Sequence, residues 1–201
     1  MGICRSYTRG RKWPALEDRS LSFVAQVRLS EVAGTDLLPR SGLLSFFVLD
    51  EWADGERPGY LQQAAVLWTR ELAGLRRVKV PKNFQSRRDG TMEERRPFAS
   101  CLVEWVRVAR LPAASNHQAR QLLTAAELER YQTLQRPPLA LHQLLGWREG
   151  AQPPEVELLL QLTCDEQAGM EWGDGDALDF YAPRAALLAG DFSQVVPYCG
   201  D

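Results

Sequence analysis

The 201-residue sequence predicts a single α+β domain over residues 1–201, sheet-dominated, with mostly antiparallel strands and a few short helices. Three observations carry this. Apolar side chains recur with period two in separate stretches, the mark of strands with one buried face. Only one stretch holds a complete helix start signal. The length, with 45% hydrophobic and 25% charged residues, supplies enough apolar surface for one core and argues against disorder across the chain.

Taken in order, Leu21, Phe23, Ala25, Val27 and Leu29 alternate with Ser22, Gln26, Arg28 and Ser30, and the alternation breaks only at Val24. Ser41–Glu51 is a second, more fully buried strand, introduced by a turn at Pro39 and Gly42. Gln62–Arg70 and Ser100–Leu111 complete a β meander in the first half. Residues 76–97 are rich in charge and poor in periodicity, so they read as a loop. Their basic residues beside Phe84 allow a nucleic-acid patch, diluted by Asp89, Glu93 and Glu94.

Thr124 and Glu127 form a capping box, which predicts a helix running to Arg136 and ended by Pro137-Pro138. From Val156 to Cys164 the period-two pattern returns, with Leu159 the exception. Ala177–Pro183 is the next strand, and Asp174-Gly175 between them is a hairpin signal because both residue types tolerate positive φ. Arg184–Ala189 makes a short helix and Phe192–Tyr198 a last strand.

Reaction chemistry has little to stand on. Gly-x-Ser-x-Gly, Walker and Gly-x-Gly-x-x-Gly motifs are missing, and neither His117 nor His142 has a second His at zinc-site spacing. An EF-hand counted from Asp174 fails at Leu178, Asp179 and Ala185. No metal or cofactor is expected, and an enzyme or small-molecule binder ranks last. Four dispersed cysteines without a Cys-x-x-Cys pair fit a reduced, cytoplasmic protein. Cys101 and Cys164 are expected to be buried, and Cys4 and Cys199 dispensable. The chain shows no signal-peptide h-region and no run of 18 apolar residues. Lysine occurs only at Lys12, Lys79 and Lys82, so the arginine-rich composition reads as that of a GC-rich bacterial genome; the lipidation-like "MGICRS" start then has no bearing.

Charge is uneven. Residues 1–154 hold 23 Lys and Arg against 16 Asp and Glu, whereas residues 155–201 hold Arg184 against 10 acids. This acidic block reads either as a solvated face or as a landing surface for a basic partner. Two loops combine acids with aromatic anchors: Asp50, Glu51, Trp52, Asp54, Glu56 and Tyr60 in one, and Glu171, Trp172, Asp174, Asp176 and Asp179 in the other. Both are expected partner-binding sites, with Trp172 equally able to close the core beneath the turn.

Segments along nearly the whole chain, among them "LLPRSGLLSFFVLDE", "LHQLLGWREGAQ", "LLLQLTCDEQAGMEWGDGDALDFYAP" and "AALLAGDFSQVVPYC", resemble the YwqG-like proteins, a bacterial family of unknown function with a sheet-dominated α+β fold. Trp13-Pro14 stands closer to the start than in that family, which implies a shortened member or a start codon set late, and Asp176 replaces a residue that is often Gly. The resemblance implies no catalytic residues. It implies an immunity protein that neutralises a cognate antibacterial toxin, a nuclease delivered by type VI secretion, with a binding or scaffold role as the alternative.

Overall fold

The structure is a computed structural model that describes residues 6–8, 12–17, 19–32, 34–49, 64–81, 85–88, 91–94, 98–109, 111–134, 142–148, 155–172 and 177–199. Its strands are β1 (Ser6–Thr8), β2 (Ala15–Leu16), β3 (Arg19–Ser20), β4 (Ser22–Arg28), β5 (Leu43–Val48), β6 (Ala64–Thr69), β7 (Leu75–Arg77), β8 (Gln85–Arg88) and β9 (Thr91–Glu94). After helices α1 (His117–Leu122) and α2 (Ala125–Leu134) come β10 (His142–Leu144), β11 (Val156–Thr163), β12 (Ala177–Pro183), helix α3 (Arg184–Ala189) and β13 (Val196–Cys199). Every strand pairing among the described residues is antiparallel.

Two sheets make the core. One is three-stranded in the order β4-β5-β6, the other four-stranded in the order β10-β11-β12-β13. Val24, Leu44, Phe46, Val48 and Val66 of the first pack with Leu160, Leu162, Leu178, Phe180 and Ala182 of the second in one cluster. Phe46 and Phe180 meet edge to face at 5.2 Å. The first sheet also buries its other face, where Leu21, Phe23 and Phe47 gather with Trp13 against them. Burial on both sides is why β5 is apolar nearly throughout rather than alternating.

The two breaks in the sequence alternation have one structural cause. The β4–β5 register shifts between Phe23 and Ala25, and the β11–β12 register shifts between Leu158 and Leu160. At each shift two consecutive residues, Val24 with Ala25 and Leu159 with Leu160, join the same core cluster. A bulge does this by letting one extra residue into the strand.

Trp68 locks the sheets at one corner. Its indole N–H donates to the Ser41 carbonyl at 3.1 Å, and its ring meets Phe192 edge to face at 6.0 Å. Gly42, at φ 107°, and Gly190, the left-handed cap of α3 at φ 66°, both lie under this ring; added Cβ atoms would come within 2.5 and 2.8 Å of it. Neither position admits a larger residue.

Several expectations need correction. Ser100–Leu111 forms no strand: residues 98–109 run without helix, turn or ladder partner among the described residues. Part of the expected loop at 76–97 is instead the β8–β9 hairpin, in which Gln85 pairs with Glu94 and Arg88 with Thr91. Cys199 is fully buried in the main cluster, whereas Cys101 and Cys164 are half-buried at its margin. A Cys199→Ser change therefore places a hydroxyl in the core and is not neutral.

The capping box forms as expected. The Glu127 amide donates to Thr124 Oγ1 at 3.4 Å and the Thr124 amide to Glu127 Oε2 at 2.8 Å. The bonds from Thr124 hold the Glu127 carboxyl below its ordinary range. No described side chain of α2 is buried, so the cap and not packing holds its first turn. Thr124→Ala should speed amide exchange several-fold at Glu127 and Leu128 without moving the global melt; a cooperative loss of stability would show that α2 is part of the core after all.

Candidate functional site

The second sheet carries chemistry on the face turned away from the core. Gln143 pairs with Gln161, Gln161 with Asp179, and Asp179 with Tyr198, which sets one polar row across all four strands. Directly paired residues share a face. After β10, Leu145 at φ 58° and Gly146 at φ 88° turn the chain back, and Gln143 Nε2 clamps the turn by donating to the Leu145 and Trp147 carbonyls at 2.7 and 3.1 Å. This turn delivers Arg148 to the row.

There the Arg148 Nε lies 2.7 Å from Asp179 Oδ2. Gln161 Nε2 donates to Asp179 Oδ1 at 2.9 Å and the Tyr181 hydroxyl to Oδ2 at 3.2 Å. The guanidinium also lies over the Tyr198 ring, 5.6 Å from its centroid. Asp179 is 0% exposed and Arg148 7%. Burial pushes the Asp179 carboxyl above its ordinary range, against the opposing pull of Gln161, Arg148 and Tyr181. Burial, with the Asp179 charge, also raises the Tyr181 phenol. The groups converge on one another, so they form a structural network.

A second polar pair stands beside it. The Thr163 amide donates to His142 Nδ1 at 3.3 Å, which leaves the proton on Nε2, 3.3 Å from Asp165 Oδ2. With both ring nitrogens engaged, His142 has no site for a substrate proton while these bonds hold. Asp165 also accepts from the Gln167 and Ala168 amides through Oδ1, at 2.8 and 3.3 Å, and exchanges two backbone bonds with Met170.

Partial burial pushes the Asp165 carboxyl upward, but bonds from Ala168, His142 and Gln167 outweigh it, and the net direction is downward. A carboxyl lowered in the folded state contributes stability above its unfolded value, about pH 4, and loses it as pH falls through the folded value. Asp165→Asn should therefore flatten the acid limb of the stability curve below about pH 4. An unchanged acid limb in urea titrations would refute this assignment.

Residues 164–172 lead away from β11 and are closed by an antiparallel bridge between Asp165 and Met170, whereas the Asp174-Gly175 turn expected from the sequence lies outside the described residues. This segment carries part of the acidic loop expected from the sequence, and the structure divides that loop. Glu171 is exposed, as is its neighbour Glu166. Trp172, 1% exposed, lies in the main core cluster with its ring 5.6 Å from Phe98, and Asp179 faces Arg148. Desolvated side chains cannot offer themselves to a partner, so neither belongs to an accessible surface in this conformation. Asp174 and Asp176, together with Asp50, Glu51, Trp52, Asp54, Glu56 and Tyr60, lie outside the described residues.

Sequence reasoning missed Arg148 and Gln161. The available signal was a single acid inside the apolar strand Ala177–Pro183, since a buried carboxylate demands a partner. Among the described residues, no group of three or more His, Cys, Asp or Glu is arranged to hold a metal ion, and no helix is long and apolar enough to cross a membrane.

Antiparallel sheets and few, short helices among the described residues define a sheet-rich α+β protein. Residues 5–199 match the model of a domain of unknown function, DUF1963, and the chain belongs to that family. A comparison with curated proteins found no match.

Proposed function

We propose that this DUF1963 protein is a YwqG-like, non-catalytic immunity protein of the bacterial cytoplasm that binds and neutralises an antibacterial toxin, a nuclease delivered by type VI secretion. The observation that carries the reading is how the C-terminal acids are used. Glu157 pairs with Arg184, Asp165 with His142, Asp179 with Arg148, and Asp191 caps Ser193, while Glu155, Glu166 and Glu171 remain exposed. The outward acids of the β11–β12 connection adjoin Asp174 and Asp176 in sequence. A carboxylate-rich stretch of this kind fits the basic groove in which a nuclease holds phosphate.

The contact comprises Glu171, Asp174 and Asp176, with the loop of Asp50, Glu51, Trp52, Asp54, Glu56 and Tyr60 as its second arm. Asp54→Lys combined with Asp176→Lys should leave the fold intact, slow association with a toxin encoded beside the gene, reduce the salt dependence of binding and weaken protection of cells expressing that toxin. Full protection and unchanged binding by the double variant would reject this surface.

A further inference from the structure

Two acid-free stretches stand far apart in the sequence. Residues 1–12 and 72–88 together hold ten of the chain's 24 Lys and Arg and none of its 26 Asp and Glu. The fold brings them side by side. Strand β1 pairs antiparallel with β7, which sets Ser6 opposite Arg77 and Tyr7 opposite Arg76. Close by in the chain, Trp13 and Val78 pack against one cluster, Leu21, Phe23 and Phe47, on the other face of the first sheet. Their chain neighbours Lys12, Arg77 and Lys79 are exposed, as is Arg76. Salt bridges among the described residues engage Arg28, His142, Arg148 and Arg184, and none of these four cations. Cations gathered in this way repel one another, and a polyanion relieves the repulsion.

We propose that this ribbon, with Lys12, Arg76, Arg77 and Lys79 at its described centre, binds the phosphate backbone of nucleic acid without reading its sequence. Charge sets the broad class of partner, and the missing apolar anchor narrows it. None of the exposed large apolar side chains falls in residues 12–17 or 64–81. A protein interface draws its energy from buried aromatic and apolar anchors, and stable binding to a membrane surface needs an apolar signal beside the basic one. A phosphate backbone asks only for cations. Arginine adds fit, because its guanidinium fork donates to two phosphate oxygens at once. Two of the acids that dilute this region in the sequence, Glu93 and Glu94, belong to β9 and stand opposite Ser86 and Gln85 rather than beside β7. The ribbon uses no residue of the toxin contact and does not depend on it.

Fluorescence anisotropy of a labelled, mixed-sequence DNA duplex, titrated with the full chain over a salt series, tests this. Binding should have a dissociation constant of about 10⁻⁴–10⁻⁶ M near physiological salt and weaken steeply as salt rises. Arg76→Glu combined with Arg77→Glu should weaken it by about tenfold or more at fixed salt and reduce the salt slope by about 2. Arg120→Glu with Arg130→Glu, the same change of net charge at exposed positions of α1 and α2, should bind like the parent. Arg76→Gln with Arg77→Gln removes charge without adding any and should fall between, which supplies the same reading should the reversed pair not fold. A parent that leaves the duplex unbound at low salt, or equal weakening by the two reversed pairs, would overturn the proposal. So would binding to poly-glutamate or to phosphatidylserine vesicles as tight as to the duplex, which would assign the ribbon to an acidic protein or a lipid surface instead.

Discussion

Asp179→Asn should lower the stability of the folded protein by about 3–5 kcal/mol, a large part of the 5–15 kcal/mol typical of a domain. The amide keeps the shape of the carboxylate and can still accept from Gln161, but it removes the negative charge 2.7 Å from the Arg148 Nε, on a guanidinium that is 7% exposed. Removing the other partner gives a different result. Arg148→Ala strands a carboxylate that burial already pushes upward, and that group can escape by taking up a proton.

The sign follows from linkage. A carboxyl raised in the folded state binds its proton more tightly there than in the unfolded chain, so its stability contribution is present at low pH and lost as pH rises through the folded value. Arg148→Ala should therefore cost most at neutral pH and recover on acidification, whereas the cost of Asp179→Asn should grow on acidification, because only the parent gains the stability that proton uptake at Asp179 supplies. Replacing both, as Arg148→Met with Asp179→Leu, should recover much of the loss, because an apolar pair needs no desolvation of charge. Urea titrations at several pH values read all three. If both single variants cost less than about 1 kcal/mol, the pair is solvated in solution and the network is not structural.

The strands were legible because their cause is local. Period two placed β4 and β11 and apolar runs placed β5 and β12 to within a few residues, and even the flaws in the alternation at Val24 and Leu159 marked real bulges. The helix α2 was legible for a similar reason, since Thr124 and Glu127 stand three residues apart and cap each other. Ser100–Leu111 misled because β-propensity measures fit to a neighbouring strand, and the chain offers none among its described residues. The buried network was hidden for the opposite reason. Arg148 and Asp179 are far apart in sequence, and only the turn at Leu145 and Gly146 and the register of β11 on β12 bring them together. Acidity could be counted from the sequence; which acids face water could not, because that depends on where each partner arrives.

Trp172→Ala should cost about 3–5 kcal/mol of stability, in the manner of a large aromatic removed from a closed core. The ring lies in the main cluster against Phe98, and its backbone amide donates to the Cys164 sulfur at 3.2 Å, so both side chain and main chain fasten the β11–β12 connection. Trp172→Phe should be much milder. The indole Nε1 is buried with no hydrogen-bond partner among the described residues, and such an orphaned donor costs on the order of 1–3 kcal/mol. Phenylalanine removes that cost while giving up only part of the volume, so the two terms offset and a net change within about 1.5 kcal/mol is expected. An accessible anchor residue would behave in the reverse way: alanine would spare the urea midpoint and impair partner binding. Equilibrium unfolding of both variants separates the cases. A Trp172→Ala protein as stable as the parent would return this tryptophan to the surface, whereas a steep loss relieved by phenylalanine places it under the acidic connection as the piece that holds Glu166 and Glu171 in position.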